Sequence, residues 1–192
     1  MYQAMTFDFD YYQRVSSAWP YKQIGGKFNK GIRVEAEKIA NPVLIQLNSE
    51  NDAPDTPLPH FWNGSGEGAV FSARLYAAMV AFGVDNLDAY PAQYVDPKTK
   101  VVNSGFYVIN VIGLIAAADM KKSTATVHAG GPLIDVSFDT LVIDALKARG
   151  ALVFRLRENT SSIFCHVSLV QYLEKLSFPG LQFSAPNDLV LL

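Results

Sequence analysis

The chain has one cysteine, three histidines and few charges, and each scarcity removes a class of function. With Cys165 alone no intramolecular disulfide can form, which fits a reducing compartment. His60, His128 and His166 lie far apart, and none has the i, i+4 spacing of a zinc-binding helix. No metal and no other cofactor is expected. Sixteen Lys and Arg face eighteen Asp and Glu, a formal net charge of −2. A basic face for nucleic acid is not expected from that balance. The apolar stretch Phe106 to Ala118 is shorter than the roughly 20 residues that a bilayer-spanning helix needs, so no membrane span is expected. Met1 to Tyr12 lacks a basic start, and Asp8 and Asp10 fall where the apolar core of a signal peptide would be. The expected location is the cytoplasm. Gly64-Ser65-Gly66-Glu67-Gly68 is dense in glycine, but no lysine follows it and no strand is expected ahead of it, so it reads as a poor phosphate loop. There is no internal repeat and no low-complexity segment.

Apolar material is plentiful, at 49% of residues. The chain is long enough for one large domain or two small ones. The organising stretch runs from Gly105 to Ser123. Phe106 to Ile112 is rich in β-branched and aromatic residues, with Asn110 among them, and predicts a central strand covered on both faces. It should leave the sheet at Gly113. Ahead of it, Tyr90 to Val95, the turn Asp96-Pro97-Lys98-Thr99 and the return from Lys100 predict a hairpin. Ser72 to Phe82 has the helical period, with Ser72 as N-cap and Gly83 as stop. Further strands are expected at Ile32 to Glu35, Pro42 to Leu47, Leu141 to Ile143, Leu152 to Arg157, Ile163 to Val167 and Leu181 to Phe183. Asp144 to Arg149 reads as a short helical turn. The spacing of Ser168 and Gln171 predicts a capping box for a helix lined by Leu169, Leu173 and Leu176. Residues 124 to 138 look irregular, turning at Gly130-Gly131-Pro132, and residues 1 to 30 show no clear helix. The fold class is α+β, a mixed or mostly antiparallel sheet with a few packed helices. The whole chain, 1–192, is read as one domain, with residues 1–65 as a candidate separate lobe.

Several residues could carry chemistry. Asp119 could be a general base or the cap of a turn. Arg155 and Arg157 could bind an anion or form a solvated strand face. Cys165 and His166 are adjacent on a strand, so their side chains point to opposite faces and cannot pair. Cys165 reads as a small core residue. Asn48 to Gly68 is loop-like and carries the acids Glu50, Asp52, Asp55 and Glu67. Loops of that length in compact domains are usually functional or mobile. Phe61 and Trp62, inside it, either fasten the loop to the core or form an exposed binding anchor.

The series Tyr107 to Leu114, Ala118-Asp119-Met120-Lys121-Lys122-Ser123, Leu141 to Asp144, Leu152 to Leu156, Ile163 to Ser168 and Phe178 to Phe183 resembles a bacterial polymorphic-toxin immunity-protein family, typified by a myxobacterial immunity protein. Val70 to Leu75 and Tyr90-Pro91-Ala92 are similar to its helix start and hairpin. The resemblance covers about residues 68–186. It implies a protein that binds and neutralises a cognate toxin, encoded by an adjacent gene, without catalysis. The acidic loop is the expected contact face, with Glu50, Asp52, Asp55, Phe61, Trp62 and Glu67 as partner-binding residues. Two other classes stay open. One is a small hydrolase or transferase, which would need a deep pocket joining Asp119, a histidine and Arg155. The other is a self-associating structural protein using the aromatic segment Tyr2 to Tyr21.

Overall fold

The computed structural model describes residues 1–8, 20–24, 28–48, 57–63, 68–128 and 135–191. Along them run β1 (Tyr2–Phe7), α1 (Tyr21–Ile24), β2 (Val43–Gln46), β3 (Phe61–Asn63), β4 (Ala69–Ser72), α2 (Ala73–Phe82), β5 (Leu87–Val95) and β6 (Val102–Val111). Then follow β7 (Leu114–Ile115), β8 (Thr124–His128), β9 (Asp135–Thr140), α3 (Ala145–Ala148), β10 (Val153–Leu156), β11 (Ile163–His166), α4 (Val167–Leu176) and β12 (Leu181–Ser184). The architecture is α+β, as the sequence predicts. One five-stranded sheet has the order β2-β5-β6-β4-β3 and another β12-β1-β11-β10-β7, while β8 and β9 form a separate hairpin. Pairing is mostly antiparallel. The parallel pairs among the described residues are β2–β5 and β7–β10.

β6 is the middle strand of the first sheet because its residues suit two covered faces. Val108 faces one buried cluster, and Ile109 and Val111 face another. Its buried polar residue, Asn110, donates from Nδ2 to the Ile32 carbonyl at 2.8 Å. That bond ties down the segment where Ile32 to Glu35 was expected to be a strand. The segment is irregular instead, held by a side chain rather than a ladder. β6 ends at Val111, and the chain turns at Gly113, whose φ of +88° suits glycine.

The helix α2 is capped as expected. The Ser72 hydroxyl accepts from the Leu75 N–H at 3.1 Å, and Gly83 closes the helix at φ +107°. The start of α4 differs from the expected capping box. β11 runs straight into the helix, so His166 is the N-cap and Ser168 is already inside the first turn. Leu169, Val170 and Leu173 of α4 are buried, while Leu176 is partly exposed.

Three apolar clusters result. The central one joins the two sheets and the two long helices: Phe71 and Ile109 from the first sheet, Val153, Ile163 and Cys165 from the second, and Leu75, Met79, Leu169 and Leu173 from α2 and α4. A second lies on the other face of the first sheet, closed by Ile24, Phe28 and Ile39. A third lies on the other face of the second sheet, where Val136 and Phe138 of β9 cover Phe154, Leu156 and Phe164. The hairpin β8–β9 therefore occupies part of a region expected to be irregular, and Gly130-Gly131-Pro132 lies outside the described residues. Leu141 to Ile143 contributes a single bridge, Ile143 to Ala118, rather than a strand.

The N-terminal portion is woven into both sheets. β1 lies between β11 and β12, β2 borders β5, and β3 borders β4. β1 was not foreseen, because Tyr2, Ala4 and Met5 are buried on both faces and leave no alternation to read. Tyr2, the start of the aromatic segment considered for self-association, is in the core. Residues 9–19 of that segment lie outside the described residues.

Candidate functional site

The loop predicted to contact a partner is described at its two roots, residues 57–63 and 68–72. Glu50, Asp52, Asp55 and Glu67 lie outside the described residues. Phe61 and Trp62 are described, and they are not exposed anchors: they are 0% and 1% exposed. They form β3, paired with β4 through Phe61↔Phe71 and Trp62↔Val70. Period-two alternation sends Phe61 into the central cluster, 5.7 Å from the Phe71 ring, and Trp62 into the cluster behind the first sheet. The packing alternative is the one realised, because both faces of this sheet are covered.

Just beyond them a polar seam joins the two sheets. Asn63, the last residue of β3, donates from Nδ2 to the Ser161 carbonyl at 2.7 Å. Its Oδ1 accepts from Arg155 Nη2 at 3.4 Å, and Arg155 Nη1 donates to the Thr160 carbonyl at 2.6 Å. Arg155 is fully buried, which corrects the expectation of a solvated basic strand face. It has the same parity on β10 as Val153, so it points inward; Arg157 is exposed. Burial pushes the guanidinium down to about 9, and it remains protonated at neutral pH. The seam holds a positive charge at the root of the segment 64–67. Its partners were hidden in the sequence, since Asn63 lies 92 residues from Arg155 and meets it only through the packing of two sheets.

The other end of β3 is pinned by a second polar group. His60 Nδ1 lies 2.7 Å from the Ser72 hydroxyl that caps α2. Burial first, then the nearby Arg74, lowers the His60 pKa below the ordinary histidine value. A neutral His60 lets Nδ1 accept the hydroxyl proton. The ring meets Phe178 edge-on at 5.2 Å, and the Arg74 guanidinium lies over the same Phe178 ring at 4.6 Å. Arg74 also donates to the Leu176 and Ser177 carbonyls at the end of α4. The Ser72 cap was legible; its histidine partner was not, because the contact depends on the β3–β4 register.

The residues of the hydrolase alternative sit in separate settings. Asp119 accepts from the Lys121 N–H at 3.2 Å and pairs with Lys122 at 3.1 Å, so it stabilises its own turn. The Lys122 bond, with the backbone bonds, holds its carboxyl below the usual range. His128 bonds Ser137, and His166 bonds Ser168. Cys165 is buried, and burial pushes its thiol well up, which makes it inert. Among the described residues no three His, Cys, Asp and Glu side chains gather in a way that could hold a metal ion. No helix among them is long and apolar enough to cross a membrane.

The profile of the Immunity protein family (Imm11) matches residues 13–188. The chain belongs to that family. The match begins well before residue 68, where the resemblance read from the sequence starts. Membership in this immunity family therefore takes in β2 and β3 as well as the later strands, consistent with their place inside the first sheet. A comparison with curated proteins found no match.

Proposed function

We propose that this chain binds a cognate bacterial toxin, the product of an adjacent gene, and neutralises it by protein–protein contact without catalysis. The observation that carries the proposal is the immunity-family match over nearly the whole chain. The mechanism is occlusion of the toxin's working surface or arrest of its working conformation. A specific complex of this kind buries on the order of 1,200–2,000 Å². It forms in the cytoplasm and needs neither nucleic acid nor membrane.

The acidic stretch is the proposed contact face, with Glu50, Asp52, Asp55 and Glu67 steering a basic toxin. Phe61 and Trp62 take a different part from the one first expected. Buried in β3, they fix one root of the loop, and the Asn63–Arg155 seam braces it. Rigid support of this sort lowers the ordering cost of binding.

The test is co-expression with the adjacent gene, scored by survival and then by co-purification. Rescue and a stable complex are expected. A harmless neighbour that yields no complex overturns the proposal. Replacing Glu50, Asp52 and Asp55 by their amides should slow association and flatten its salt dependence; an unchanged affinity and rate would remove the acidic stretch from the interface.

A further inference from the structure

The two sheets end differently. β2 borders the first, and its outer side is closed by a side chain. Gln23 accepts from the Leu44 N–H and donates to the Leu44 carbonyl, both at 2.8 Å, as a neighbouring strand would. β7 borders the second sheet; Gly31 lies against its start, accepting from the Gly113 N–H at 2.8 Å, but among the described residues no side chain caps Leu114 as Gln23 caps Leu44. It pairs with β10 through Leu114↔Arg155 and Ile115↔Leu156. Ile115 turns its backbone toward β10, its carbonyl accepting from the Arg157 N–H at 3.0 Å. Backbone groups alternate sides along a strand, so Leu114 directs its N–H and carbonyl outward. Leu114 takes no outer hydrogen-bond partner among the described residues.

Beside β7 is a groove of about 560 Å³ whose opposite wall is α3 and the residue after it. Leu114, Ile115 and Ala116 line one wall, and Leu146, Lys147 and Arg149 the other. Leu146 is 88% exposed at the rim. Lys147 is anchored there, its ammonium 3.2 Å from the Ala118 carbonyl. The lining carries two cations and no acid.

Open strand edges recruit strands, because unpaired N–H and carbonyl groups gain most from an extended backbone. The cations choose its charge. We propose that the groove between β7 and α3 receives an extended, acidic segment of the cognate toxin, added to β7 as a further strand. Leu146 covers its apolar side chains, and Lys147 and Arg149 meet its carboxylates. The proposal rests on the toxin-binding reading above.

The experiment measures binding of the full-length chain to the purified product of the adjacent gene, by calorimetry at two salt concentrations. Leu114→Pro removes the outward N–H of β7 at a sheet edge, where proline is tolerated. It should weaken binding about tenfold, the worth of a main-chain bond at an interface. The double variant Lys147→Gln with Arg149→Gly removes both cations. Arg149 has φ +50°, a conformation glycine adopts freely, so the fold is preserved. This variant should also weaken binding about tenfold and reduce its salt dependence. Wild-type binding with both variants unaffected overturns the groove and leaves the toxin reading intact. Absence of wild-type binding overturns the toxin reading itself.

Discussion

The strand–helix units β4–α2 and β11–α4 invite comparison. Each helix has ten residues, each follows its strand without a loop, and each begins at a His–Ser hydrogen bond of 2.7 Å. The roles are exchanged. In the first unit Ser72 caps the helix and His60 arrives from twelve residues upstream, just ahead of β3. In the second His166 is itself the cap, and its Nδ1 accepts from both the hydroxyl and the N–H of Ser168, two residues on. The far ends differ as well. Gly83 terminates α2 with its own left-handed backbone, whereas Ser177 ends α4 at φ +52° with Arg74 of the other helix covering the last carbonyls. The same orphaned N–H and carbonyl groups are satisfied locally in one place and by tertiary contact in another.

The comparison can be broken at several points. The largest effect is expected where the units are alike, in their shared core. Leu75→Ala and Leu173→Ala should each cost ~3 kcal/mol in urea unfolding, the usual range for a buried leucine. A much smaller loss for one of them would mean the helices do not share one cluster. Ser72→Ala should cost ~2 kcal/mol, because the cap and the bond that satisfies His60 are lost together. Ser168→Ala should cost only ~0.5 kcal/mol, since His166 still accepts from the Ser168 N–H. Equal losses would erase the distinction between the two caps.

Acid sharpens the same contrast. His60 is lowered in the folded state by burial and by Arg74, so the unfolded chain binds its proton more readily. The stability this contributes is fully present above the unfolded value of about 6.5 and is lost as pH falls through the lowered folded value. His60→Gln should flatten unfolding free energy against pH in that window, and a slope unchanged from wild type would exclude His60 as its source. Arg74→Ala should shrink the slope as well and cost ~1 kcal/mol through the uncovered end of α4. Ser177→Gly should raise stability by ~0.5 kcal/mol by relieving a positive φ.

Local signals were legible where a short window holds the whole cause. Ser72 and Gly83 bound a helix whose apolar period lies between them. The hairpin turn is set by Asp96, whose Oδ1 accepts from the Lys98 and Thr99 N–H groups. Asp119 stabilises its turn in the same way, through Lys121 and Lys122. The reading missed elements whose cause lies elsewhere in the chain. Ser168 and Gln171 have the spacing of a capping box, yet the preceding strand carries the helix start back to His166. Arg155 looks like a surface residue on an alternating strand until a second sheet covers that face and Asn63 and Thr160 accept its protons. Phe61 and Trp62 stand open between core packing and an exposed anchor until the pairing with β4 decides for packing.

The sequence by itself determined an α+β chain with β6 at the centre of a sheet, a helix from Ala73 to Phe82 and a buried Cys165. β-branching, helical period and turn chemistry act within a few residues and need no partner to be read. Only the tertiary structure decided that the described strands form two five-stranded sheets and a separate hairpin rather than one sheet, and that two helices share a core between them. It also decided that Arg155 is buried and that Gln23 closes one sheet border. Those outcomes depend on which covered face meets which, and that is settled by burying apolar area across long sequence separations, an effect without direction and without a local signature.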